Sequence, residues 1–67
     1  MDTRNGNNEM TYRGIKIIVS KSGNGHQAHM FRSNEIRAFD RTPTMTRKAA
    51  ISFAEIMIDG KIEDGYI

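Results

Sequence analysis

The sequence predicts an α+β fold, a three-stranded antiparallel sheet with one C-terminal helix packed on a face. Three observations carry that expectation. A β-branched run over residues 11–20 alternates like a strand, with Ile15, Ile17 and Val19 interleaved with Lys16, Ile18 and Ser20. Ser22-Gly23-Asn24-Gly25 follows it, and Gly and Asn tolerate the positive φ angles of tight hairpin turns. Beyond Thr42-Pro43-Thr44, apolar residues recur at helical spacing as far as Asp59.

The second strand spans about residues 26–32. A two-residue turn at Gly23-Asn24 or at Asn24-Gly25 pairs odd positions of the first strand with even positions of the second. Either choice puts Ile17 and Val19 on one face with Ala28 and Met30. Lys16, Ile18, His29 and Phe31 then share the other face.

Ser33-Asn34 reads as a further turn and residues 35–40 (EIRAFD) as a short third strand. A three-residue loop puts Ile36 and Ala38 on the Met30 face and exposes Arg37 and Phe39. A two- or four-residue loop does the reverse, and the sequence leaves both open.

The helix is expected over about residues 45–59. Thr44 or Thr46 caps its first turn, Met45 staples onto Ala50 if Thr46 is the cap, and Gly60 ends it. At about 100° per residue, Ala49, Ala50, Phe53, Ile56 and Met57 form one apolar face. Ile51, Ala54 and Ile58 widen it beyond the stripe of somewhat over ~100° that a sheet requires. Those three are the expected protein interface, to be covered by Ile62, Tyr66 and Ile67 or by a partner protein or second copy.

Sixty-seven residues amount to one small domain, expected over residues 10–67 after a polar, disordered tail at residues 1–9. A chain of this size hardly encloses a deep active site. With 37% hydrophobic and 27% charged residues, the composition is that of a soluble globular protein. No apolar run exceeds three residues, as in Ile17-Ile18-Val19, so no membrane span is expected. The opening residues show no apolar stretch of signal-peptide type, and cytoplasmic residence is the default expectation. There is no cysteine, so neither a disulfide framework nor a Cys-based zinc site arises.

Charge is uneven along the chain. Residues 10–48 carry eight cations (Arg13, Lys16, Lys21, Arg32, Arg37, Arg41, Arg47, Lys48) against Glu35 and Asp40. Residues 49–67 carry Lys61 against Glu55, Asp59, Glu63 and Asp64. A basic stretch of this kind favours polyanionic partners.

Several motifs lose their meaning in context. Gly23-Asn24-Gly25-His26-Gln27-Ala28 matches a dinucleotide-binding pattern, but a strand follows it instead of a helix. His26 and His29 fall on opposite faces of a strand and share no metal. Residues 59–65 hold carboxylates near glycines, but the chain ends before a calcium loop is complete. No nucleophile, base and orienting acid come together, so an enzyme is the least expected class, and no cofactor or small-molecule substrate is implied. Met30, Met45 and Met57 are expected in the core.

The constellation left standing is a basic and aromatic sheet face. Lys16, His29 and Phe31 lie together, Arg37 joins them in one register, and Arg13 and Arg32 flank them. A twisted ribbon of this kind fits the major groove of duplex DNA, with cations on phosphates. The expected function is therefore DNA binding or regulation. A protein-interaction module or homodimer acting through the wide helix face is the alternative.

Residues 12–59 resemble the three-strand-plus-helix DNA-binding domains of ethylene-response-factor type. They also resemble the arm-binding N-terminal domains of tyrosine recombinases. The likeness lies in Tyr12-Arg13-Gly14, Phe39-Asp40 and Ala49-Ala50. The chain has no tryptophan and has Arg37-Ala38 where those families carry a Gly-Thr-like pair. The resemblance implies a sheet seated in the major groove. In its shortness and polar head the chain also resembles small phage or mobile-element accessory proteins.

Overall fold

A computed structural model describes residues 8–66. The expected tail therefore lies outside the described residues over 1–7, while Glu9, placed in that tail, opens a strand instead. The sheet has four antiparallel strands in the order β1-β2-β3-β4, one more than expected. They are β1 (Glu9–Tyr12), β2 (Ile15–Ser22), β3 (Gly25–Phe31) and β4 (Asp40–Arg41). A single described helix, α1 (Arg47–Glu63), follows them.

The extra strand arises because the run over 11–20 is broken at Arg13-Gly14. Both residues have positive φ, 52° and 85°, the type I′ geometry whose twist matches antiparallel strands. Tyr12 consequently pairs with Ile15, and Met10 with Ile17. The second hairpin turns at Gly23-Asn24, with Gly23 at φ 58°. Its register is the one the alternation predicts: Ile17 opposite Met30, Val19 opposite Ala28, Lys16 opposite Phe31 and Ile18 opposite His29.

The expected third strand over 35–40 forms only at its end. Asn34 takes φ 70°, the Glu35 N–H donates to the Arg32 carbonyl at 3.1 Å, and Ile36 is 95% exposed. The chain rejoins β3 later, with Asp40 opposite Met30 and Arg41 opposite His29. Thr42 extends this edge and is almost fully buried. Its hydroxyl accepts the Ala28 N–H at 3.0 Å, and its own N–H donates to the Ala28 carbonyl at 2.9 Å. A bridge between His26 and Met45 then brings the chain so close that a Cβ on Gly25 would lie 2.8 Å from the Met45 carbonyl oxygen.

Helix α1 starts at the Thr46 cap, whose hydroxyl accepts the Ala49 N–H at 3.2 Å. It does not end at Gly60. It runs one turn further to an Asp64 cap, with Gly65 at φ 76°. The Gly65 N–H reaches the Ile62 carbonyl and the Tyr66 N–H the Lys61 carbonyl, the paired bonds of a Schellman terminator. The helix lies on β2 and β3.

Its buried face differs from the expected one. Ala50, Ala54 and Ile58 are fully buried against Ile15, Ile17, Val19, Ala28 and Met30. Ala54 and Ile58, expected on the outer interface, are therefore core, and Ile51 is partly buried against it. Phe53 (37% exposed) and Ile56 (65% exposed), expected inside, face outward. The reason is distance. A helix over Ile17 and Met30 brings its backbone close only where its side chains are small, and alanines at i and i+4 allow that approach.

Candidate nucleic-acid interface

One face of the sheet carries the helix. Among the described residues nothing is layered on the other. The pleat and the register fix its occupants. Glu9 and Ile18 are paired, Thr11 with Lys16, then Lys16 with Phe31, Ile18 with His29, Ser20 with Gln27, and His29 with Arg41.

Two of these neighbours interact directly. The Lys16 ammonium lies 5.5 Å from the Phe31 ring centroid, within cation–π range. The Ser20 hydroxyl and His29 Nε2 are 3.2 Å apart. Lys16 also meets Glu9 at 3.8 Å, but both side chains are more than two-fifths exposed, so this pair holds the lysine loosely. A shallow depression of about 400 Å³ opens beside the row, lined by His29, Ala38, Phe39, Asp40 and Arg41.

The remaining expected contacts are elsewhere. Arg13 sits in the β1–β2 turn and donates to Asp59 Oδ1 of α1 at 2.8 Å. The Tyr12 hydroxyl donates to the same carboxylate, at 3.0 and 3.1 Å from its two oxygens. These bonds, the Arg13 one foremost, hold the Asp59 carboxyl below its ordinary pKa. The bond to Asp59 also raises the pKa of the Tyr12 phenol and of Arg13. Arg13 is thus tied to the acidic helix and is not part of the open face.

Arg32 stacks over Phe39 at 4.7 Å and approaches Glu35 at 3.9 Å. Phe39 is itself partly buried against the core, with Lys61 of α1 at 5.8 Å from its ring. Lys61 in turn pairs with Asp40 at 3.2 Å. Arg32 is therefore drawn into a cluster with Phe39 and Lys61 at the sheet edge, and Phe39 lies between that cluster and the depression beside His29. Arg37 stands exposed in the loop before β4.

Lys16, His29 and Phe31 are thus brought together, while Arg13, Arg32 and Arg37 are not. Arg41 joins the row instead. Sequence reasoning overlooked it because the third strand was expected to stop at Asp40. Among the described residues, Lys21, Arg37, Arg41, Arg47 and Lys48 have no carboxylate within ion-pair distance. His26 and His29 lie on opposite faces, and among the described residues no group of three or more His, Cys, Asp or Glu side chains could hold a metal ion. No described helix is long and apolar enough to cross a membrane.

Compared with known proteins, the chain matches no family model, no curated protein and no solved structure.

Proposed function

We propose that this chain is a small DNA-binding or regulatory module that meets duplex nucleic acid with the face of its sheet opposite the helix. One observation carries the reading: cross-strand pairing gathers Lys16, His29, Phe31 and Arg41 on a face with no described layer over it. Lys16 and Arg41 contact phosphates, and Arg37 reaches a neighbouring phosphate from its exposed loop. Phe31 packs its ring on a sugar or base, and His29 with Gln27 and Ser20 offers hydrogen bonds to base edges. Glu55, Asp59 and Glu63 lie on the helix, across the sheet from this row, and Glu9, loosely held by Lys16, is the carboxylate within it. The reading includes no catalytic step.

Fluorescence anisotropy with a short mixed-sequence duplex tests it. Two or more phosphate contacts should lower affinity by about tenfold or more between 50 and 200 mM salt. Lys16→Glu with Arg41→Glu should abolish binding at low salt, and Arg13→Gln should leave it nearly unchanged. Absence of binding at low salt removes the proposal.

A further inference from the structure

The outer flank of α1 is apolar and has no described cover. Ala49, Phe53, Ile56 and Gly60 are all exposed. They are spaced four, three and four residues apart, the spacing that lines up one seam along a helix. Gly60 adds a second observation. It lies inside the helix, where glycine is less favourable than alanine. Among the described residues a Cβ there would meet nothing within 4 Å, so none of them requires glycine at this position.

The charges along the helix indicate what the seam receives. Its first turn holds Arg47 and Lys48 and no acidic residue; its last turn holds Glu63 and Lys61, the lysine engaged with Asp40 and Phe39, and Asp64 caps it. Lys48 and Glu63 fall on the same side of the seam. Two such helices side by side and antiparallel set Lys48 of each near Glu63 of the other, with Lys61 turned to the opposite side of the helix. A parallel pair would set like against like.

We propose that a second copy of this chain docks on this flank, α1 against α1, antiparallel about a two-fold axis between Phe53 and Ile56. Phe53 of each copy then packs against Ile56 of the other, Ala49 against Gly60, and Lys48 lies within a turn of Glu63. Such a contact is isologous and closes on itself as a dimer. The two open sheet faces stay free, so this inference does not depend on nucleic-acid binding.

The test is sedimentation velocity of the full chain, from low micromolar to several hundred micromolar. The expected result is a monomer–dimer equilibrium with a Kd of about 10–100 µM, as suits a small transient interface. Phe53→Glu and the more exposed Ile56→Lys should each weaken it at least tenfold, with circular dichroism reporting the fold. Lys48→Glu or Glu63→Lys alone should weaken it about threefold to tenfold, and the two together should restore it. Gly60→Ala should leave a folded chain that associates less. A monomer throughout the range overturns the proposal. So does a dimer indifferent to Ile56→Lys, or a charge exchange that fails to restore association.

Discussion

Arg13 and Asp59, 46 residues apart, are joined by an N–H···O bond of 2.8 Å that closes the β1–β2 turn onto the helix. Tyr12 shares the same carboxylate, so β1 is fastened to α1 by two donors on one acceptor. Asp59 titrates below its ordinary value because both donors favour its charged form. Its contribution to stability is present above the unfolded carboxylate pKa and is lost as pH falls through the lower folded value. Urea midpoints between pH 7 and pH 2 should drop in that acid window. In Asp59→Asn the starting midpoint should be lower and the acid drop smaller.

Tyr12 carries the opposite sign. Its phenol is raised above 10, chiefly by its bond to Asp59, so the neutral form is favoured in the fold. The associated stability is present below the ordinary phenol pKa and is lost as pH rises through the folded value. Ultraviolet titration should show the Tyr12 phenol ionising above its ordinary value, and Asp59→Asn should bring it back down.

The buried Thr42 hydroxyl satisfies the Ala28 N–H at 3.0 Å. Thr42→Val keeps the volume and leaves that buried donor without a partner, at a cost of about 1–3 kcal/mol. Thr42→Ser keeps the acceptor and should lose less. Equilibrium urea unfolding distinguishes them, and equal losses in both would point to packing alone.

Two glycines should respond oppositely to alanine. Gly25→Ala drives a methyl into the Met45 carbonyl and should destabilise by about 1–3 kcal/mol. Gly60→Ala meets open space inside a helix and should stabilise by roughly 0.5–1 kcal/mol. Thermal melts at low protein concentration separate this effect from association.

Ile58 and Ile36 test the assignment of the core. Ile58→Ala removes a fully buried side chain and should cost about 2–5 kcal/mol, enough to unfold much of so small a chain. Ile36→Ser, at a 95% exposed site, should change stability by no more than about 0.5 kcal/mol.

The central hairpin was readable because period-two alternation and a Gly-Asn-Gly turn point to the same register. The first turn was not, because Arg13 takes a left-handed conformation that bulky residues rarely adopt. Gly14, alone inside a β-branched run, was the available signal. The helix face was misread because apolar side chains surround much of α1. Hydrophobicity favoured Phe53 and Ile56, whereas close approach to the sheet selects Ala50 and Ala54. Lys16, His29 and Phe31 could be grouped from the hairpin alone. Arg41 and the tethering of Arg13 depend on long-range contacts that spacing does not encode.

An NMR titration of the full chain with a short mixed-sequence duplex tests the central claim most directly. The account predicts amide shifts at Lys16, His29, Phe31 and Arg41, with little change at Arg13 or along Ala49–Gly60, and their loss as salt rises. No shifts at low salt, or shifts confined to the outer flank of α1, would contradict it.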